Sequence, residues 1–334
     1  MTVEDPVSVL TNPTNISLPP FDSYSTRKED MSSSTSAVVS YLAENSADWH
    51  SHKIMEKFAA VQGQLPSLSW KNALLVALQY PQATHIRHEN AWEQDGLVGH
   101  PEESKIWIWE PIYDTACPKC GNTPAYHSKP YISCDYHQTG TPEHWPTDVV
   151  GTTPAPYYDI NQIAGVDEEG DVNRSPLRNI GGKALRAICE EAITEDGYQL
   201  NQVSEWELGD AQGQLRRSAM TLKPIIDIIS SGQPQEALSA VKYHLLAEFT
   251  TSGAEYGYTD WGKALATWIV YCVGSHIGYH ESHYSPHIGD ISSIGDSPDT
   301  VIEGLDTIST TAESYINRLK QHTRRRQREF HDSI

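Results

Sequence analysis

Ser69-Trp70-Lys71-Asn72-Ala73-Leu74-Leu75-Val76-Ala77-Leu78-Gln79-Tyr80-Pro81-Gln82-Ala83-Thr84 is the stretch on which the reading of the fold turns. Ser69 carries the side-chain oxygen that caps free amides at a helix start. Trp70, Leu74, Leu75 and Leu78 recur at helical spacing. Pro81 lies just past them, where its missing N–H ends the helix. Toward the N-terminus, Leu65-Pro66-Ser67 closes an earlier pattern. In it Val38, Val39, Tyr41 and Leu42, then Ile54, Met55, Phe58 and Ala59, form amphipathic segments on either side of Trp49. Residues 1–36 are rich in Ser, Thr, Pro and Asn and show no apolar period, which predicts a disordered or extended arm.

Toward the C-terminus the pattern changes to that of strands. Ile106-Trp107-Ile108-Trp109-Glu110-Pro111-Ile112 is short, aromatic and β-branched, and Tyr157-Tyr158-Asp159-Ile160 predicts a second strand. The cysteine-bearing segment between them is then an insertion between two strands. The acidic stretch 167–177 reads as a linker between a first domain over 37–166 and a second over 178–322. The second half opens with a helix (Ala184, Leu185, Ile188, Cys189, Ala192) and continues with strands at 199–206 and 223–229. Val301, Leu305, Ile308, Ala312, Tyr315 and Leu319 form one stripe of a closing helix, after which Arg324, Arg325, Arg326 and Arg328 make a basic tail over 323–334. The fold class expected from this order is α+β.

The 334 residues carry 44 Asp and Glu against 24 Lys and Arg, a formal charge of -20. Such a surface opposes attraction to phosphate, which counts against a simple electrostatic nucleic-acid binder. Molar salt, as in a halophile that accumulates it, shortens the screening length to about 3 Å and removes the long-range repulsion. Affinity for nucleic acid must then come from stacking and hydrogen bonds. The 9 Trp and 17 Tyr against 4 Phe suit that role, because these rings work at a wet surface. No apolar run is long enough to span a membrane and residues 1–20 lack a basic-then-apolar leader, so a cytoplasmic protein without membrane partners is expected.

Cys117-Pro118-Lys119-Cys120-Gly121 is a C-x-x-C-G turn that aims two thiolates at one tetrahedral ion. Cys134 is the third ligand and His127 or His137 the fourth, giving a zinc knuckle over 117–137. Four protein ligands leave no position for water, so this zinc is structural. A redox pair would follow a strand and open a helix, whereas this one lies among Pro and Gly.

The opening stretch, followed by Ala91-Trp92, resembles the N-terminal domain of ArdC-type antirestriction proteins, in which an Asn precedes an apolar helical run and a Pro-x-Ala-Thr turn follows. Tyr157-Tyr158-Asp159-Ile160-Asn161-Gln162-Ile163-Ala164-Gly165 is similar to that family's closing strand. The knuckle, with Tyr126-His127 and Cys134-Asp135-Tyr136, is similar to an insertion in archaeal relatives, which favours His127 over His137 as the fourth ligand. The resemblance implies single-stranded-DNA binding by 37–166. Its physical candidates are Trp70 and Trp92 to stack bases, Asn72 for base edges, and Arg87 and Lys105 for phosphate. One departure is that Gly99-His100-Pro101-Glu102-Glu103-Ser104-Lys105 replaces the family's basic loop.

The second half resembles the family's zincin-like metallopeptidase domain through Ser204-Glu205-Trp206, Val270-Tyr271-Cys272-Val273-Gly274 and the closing helix. Where active relatives carry H-E-x-x-H, this chain reads Leu238-Ser239-Ala240-Val241-Lys242-Tyr243-His244-Leu245-Leu246. Ser239, Ala240 and Tyr243 stand at the ligand, base and ligand positions and Thr267 near the third ligand's; none can do the chemistry. The expectation is a non-enzymatic single-stranded-DNA-binding protein of a plasmid or virus, its dead peptidase domain a scaffold or a surface for a protein partner. The alternatives are a metallopeptidase using His276, His280, His283 and His287, whose spacing is ligand-like, and a structural or assembly protein.

Overall fold

The computed structural model of the chain describes residues 24–45, 49–99, 105–115, 147–164, 177, 180–204, 213–216, 223–229, 234–251, 259–279 and 297–332. Three helices come first: α1 (Tyr24–Glu44), α2 (Trp49–Gln64) and α3 (Trp70–Gln79). A short strand β1 (Ile86–His88) and helix α4 (Glu89–Gln94) lead to the long strands β2 (Ile106–Thr115) and β3 (Thr147–Asp159). These strands form an antiparallel sheet in the order β1-β3-β2. Helix α5 (Gly182–Glu195) then precedes β4 (Gln199–Val203), β5 (Gly213–Arg216) and β6 (Ile225–Ile229), a second sheet in the order β4-β6-β5. In it β4 is parallel to β6 and β5 antiparallel. Helices α6 (Pro234–Thr251), α7 (Asp260–Ile277) and α8 (Pro298–Asp332) complete the chain. The architecture is mixed α and β, as the pattern of periods predicts. Among the described residues no helix is long and apolar enough to cross a membrane.

Helix α3 forms as read: Ser69 is its N-cap, its Oγ accepting from Asn72 N, and Ala73 to Leu78 are buried. Strand β2 and the stripe of α8 also fall where the sequence puts them, with Val301, Leu305, Ile308, Ala312, Tyr315 and Leu319 all in the core, whereas β3 begins ten residues before the expected Tyr157 and ends at Asp159. Three boundaries differ. The arm expected through residue 36 is helical from Tyr24, and its last turns already pack, with Thr35 7% exposed and Val38 3%. The basic tail from 323 is a continuation of α8 to Asp332. Arg325 pairs with Glu195 at 2.9 Å and Arg326 bonds Glu191 at 2.6 Å, so helix α5 supplies the opposite charge that holds the last turns in register.

The third difference concerns the two halves. A single apolar cluster runs from Val38 to Leu319, and Leu177, at the end of the expected linker, is fully buried in it. Helix α7 lies against α2, and α8 against α1 and α3. The approach of α2 to α7 is so close that a Cβ on Gly63 would stand 2.2 Å from the Cys272 carbonyl oxygen, so only glycine fits. His276 Nδ1 donates to the Gly63 carbonyl at 2.7 Å, Gln64 donates to the Ser275 carbonyl at 2.5 Å, and Ser309 donates to Gln62 at 2.9 Å. Composition changes at the acidic stretch, but the described residues on its two sides share one core.

Candidate nucleic-acid interface

The site is built on an unpaired sheet edge. Strand β2 bonds to β3 on one side only, so the N–H and C=O groups of Trp107 and Trp109 point away from the ladder. Helix α3 covers them with two carboxamides. Asn72 Nδ2 donates to the Trp109 carbonyl at 2.8 Å, and Trp109 N donates back to Asn72 Oδ1 at 2.9 Å. Gln79, two turns on, makes the same reciprocal pair with Trp107, both bonds 2.9 Å. A side-chain amide reproduces the donor and acceptor of a neighbouring strand, so helix and sheet edge are clamped in fixed register.

This clamp sets Trp109 into the wall of a cavity of about 630 Å³. Trp70 and Lys71 from the first turn of α3 line it with Asn72. The hydroxyls of Thr35, Ser36, Ser40, Ser67, Ser69 and Thr152 surround it, and Pro298 and Ile302 at the start of α8 close one side. None of the described lining residues is acidic, although the chain as a whole is at -20. Lys71 is exposed and its Nζ stands 5.5 Å from the Trp70 ring centroid. Trp70 is 7% exposed and part of the core, so the half-buried Trp109, the hydroxyls and one cation are the groups that can stack a planar base and hold a phosphate.

Of the residues expected to meet DNA, Trp70 and Asn72 are at this cavity, and Asn72 acts through the Trp109 backbone rather than on a base. Arg87, Trp92 and Lys105 lie elsewhere. The Trp92 ring is 4% exposed, packs with Tyr158 and Ile163, and donates through Nε1 to the Tyr158 carbonyl at 3.0 Å. The Arg87 guanidinium lies 4.6 Å from that ring's centroid while bonding Asp95 at 2.7 Å and the Ala91 carbonyl at 3.1 Å. Lys105 pairs with Glu89 at 2.8 Å. His85 meets the Trp92 ring edge-on at 5.8 Å, and burial lowers its pKa. The physical reason for the difference is mutual satisfaction: each cation and ring here already has a protein partner.

The closing-strand motif is a clamp as well. Asp159, fully buried, accepts from Thr84 N at 2.7 Å and His85 N at 2.8 Å, and it caps the turn that Gln162 completes. The Pro81 to Thr84 turn and the Tyr157 to Gln162 segment are therefore two sides of one hydrogen-bonded junction.

Cys117, Cys120, His127, Cys134 and His137 lie outside the described residues, as do His280, His283 and His287. His276 is in the core, 4% exposed, on α7. Ser239, Ala240 and Tyr243 are helical within α6 as expected. Ser239 and Ala240 are buried, the Tyr243 ring rests on Gly213, and Thr267 donates to the Lys263 carbonyl at 2.8 Å. Among the described residues, the side chains close enough to share a metal ion are Asp196, His244 and Glu248. Sequence reading missed this group. The His-x-x-x-Glu spacing on one helix face was visible, but Asp196 reaches it only through the fold.

No family model matches the chain, and no curated protein matches it. Among solved structures it is similar to the metal-free crystal structure of the antirestriction protein ArdC from plasmid R388. The overlay covers 82% of this chain and 98% of that one, with 9% identity and a TM-score of 0.43. A likeness this loose transfers no residue role.

Proposed function

We propose that the chain binds single-stranded DNA in the cavity between α1, α3 and the β2 edge, as a protein of a plasmid or virus whose second half is a scaffold without peptidase chemistry. The observation that carries this reading is the cavity itself. Among the described residues it is lined by Trp70, Trp109, Lys71 and six hydroxyl side chains and by no carboxylate, in a strongly acidic chain. A volume of about 630 Å³ lies within the usual range for small-ligand pockets. Unpaired bases expose the faces that indoles stack on, while duplex bases do not.

The scaffold reading rests on Ser239, Ala240, Tyr243 and Thr267, which offer neither a metal-binding imidazole nor a general base. The reading extends to zinc in the 117–137 segment, bound by Cys117, Cys120, Cys134 and His127, and to a protein partner at the second half. Fluorescence anisotropy with one oligonucleotide, single-stranded and as duplex, over a range of salt tests the central claim. Preference for the single strand with a shallow salt dependence is the expected result. Equal affinity for both, abolished by moderate salt, would overturn it and assign binding to surface cations such as Arg324 and Arg328.

A further inference from the structure

The turn after α5 brings Asp196 beneath α6, where His244 and Glu248, one helical turn apart, face it. Asp196 Oδ2 is 3.1 Å and Glu248 Oε1 3.9 Å from His244 Nε2, and ligating atoms of all three lie within 4.8 Å of one another. The imidazole is 1% exposed, enclosed by Tyr198 and Tyr315 at centroid distances of 5.0 and 5.9 Å. Tyr315 Oη is 3.2 Å from Nδ1. Nε2 faces the Asp196 carboxylate at 3.1 Å, an approach close enough for an ion pair but outside hydrogen-bond angles. One buried imidazole nitrogen grouped with two carboxylates in this way is a donor set of the kind that holds a metal ion.

We propose that Asp196, His244 and Glu248 bind one divalent transition-metal ion, with Zn²⁺ or Co²⁺ preferred over Mg²⁺ and Ca²⁺. Metal–ligand bonds of roughly 2.1 Å at tetrahedral to octahedral angles set donor atoms about 3.0–3.4 Å apart. The Asp196–His244 separation already meets this, and Glu248, 42% exposed at its side chain, comes into this range of His244 with a shift of under ~1 Å. Bound through Nε2, His244 donates Nδ1–H to Tyr315 Oη, the orienting contact that metal-binding histidines require.

Two cations sit beside the carboxylates. Arg318 bonds Asp196 Oδ2 and also the Ala192 carbonyl. Lys223 is 3.8 Å from Glu248 Oε1, bonds the Asp196 main-chain carbonyl and lies 4.4 Å from the Tyr198 ring centroid. Each therefore keeps a neutral partner when the carboxylates turn to an ion. Their charge offsets that of the carboxylates, so selection falls to the imidazole, which favours transition metals over Mg²⁺ and Ca²⁺. The partly exposed Asp196 and Glu248 leave the remaining coordination positions to water.

The full chain, stripped with chelator and titrated with Co²⁺, tests this without reference to DNA. Cobalt on oxygen and nitrogen donors gives visible bands and no thiolate charge transfer, which separates this site from Cys117, Cys120 and Cys134. The difference spectrum between wild type and Glu248→Gln is expected to show one equivalent of thiolate-free Co²⁺, displaced by Zn²⁺. Affinity at that site falls at least tenfold in Glu248→Gln and is lost in His244→Ala. Zn²⁺ raises the melting temperature of wild type more than that of Glu248→Gln. Should His244→Ala fail to fold, Glu248→Gln decides alone, because the exchange keeps shape at a half-exposed position. A folded wild type without thiolate-free Co²⁺ binding at millimolar metal, or a Glu248→Gln chain with wild-type affinity, would show the cluster to be an ion-pair network only.

Discussion

Two tryptophans belong to the same antiparallel sheet or lie against it, Trp109 within β2 and Trp92 against Tyr158 of β3, and they differ in what surrounds them. Trp92 is sealed: its N–H is bonded to Tyr158, Arg87 covers its ring, His85 meets its edge, and Arg87 is itself neutralised by Asp95. Trp109 has its backbone fixed by Asn72 and lines a cavity, where Lys71 has no carboxylate among the described lining residues. The same residue types thus serve packing in one place and stand available in the other. What separates them is whether the protein itself satisfies each ring face and charge.

The largest effect expected from this contrast is on stability at the sealed site. Trp92→Ala removes a ring that is 4% exposed and should cost about 3–5 kcal/mol. Denaturant unfolding measures the loss, and the DNA affinity of the remaining folded fraction stays at the wild-type value. A Trp92→Ala chain of normal stability but weakened DNA binding would reverse the assignment of the two sites. Asn72→Ala comes next. It strands the edge N–H and C=O of Trp109, which should cost about 1–3 kcal/mol, and it also weakens DNA binding because Trp109 loses its fixed position. Retained affinity with lost stability would show that the clamp serves only the sheet edge.

The elements themselves were legible because local signals agree with the tertiary result. Ser69 and Pro81 bracket α3, the β-branched and aromatic run at 106–112 is strand, and the four-and-three stepping from Val301 to Leu319 is buried without exception. The site was legible only in part. Trp70 and Asn72 stood out, yet Trp109 was read only as strand material. Nothing along the chain says that a carboxamide on α3 will face its backbone, or that Thr35 and Ile302 will meet across one cavity. The shared core was hidden for the same reason. An acidic, aperiodic stretch at 167–177 reads as a linker, and only the fit of α2 on α7 at Gly63 shows that the flanking halves pack together.

At the open site, Trp109→Ala should weaken single-stranded-DNA binding by about 1–3 kcal/mol, roughly 5- to 150-fold, with a small change in unfolding free energy. Unchanged affinity in a folded variant would remove stacking on Trp109 from the account. A pH comparison separates the two regions again. His85 beside Trp92 has its folded pKa lowered, first by burial and then by Arg87, against an opposing contribution from Asp159. Below the unfolded value of 6.5 the unfolded chain therefore takes up the proton more readily. The contribution of His85 is complete above pH 6.5 and is lost as pH falls through the lowered folded value. Unfolding at pH 7.5 and 5.5 should show a smaller acid loss in His85→Gln than in wild type. The cavity has no histidine or carboxylate among its described lining residues, so Trp109-dependent binding by the folded protein should be flat over the same interval.

The smallest effect concerns Lys71, and it sharpens the comparison with Arg87. A lysine that meets one phosphate of a single strand releases about 0.7 of a counterion, so Lys71→Ala should reduce the slope of log affinity against log salt by about 0.7. The fall in affinity should be modest and should vanish in high salt, where Trp109→Ala still shows its full loss. Arg87→Ala should leave the slope unchanged, because its charge is already matched by Asp95 at 2.7 Å and its guanidinium is placed over Trp92. If instead Arg87→Ala lowers the slope and Lys71→Ala does not, the strand runs over the sealed tryptophan. Both sites would then exchange roles, with the cavity beside Trp109 left to some other ligand.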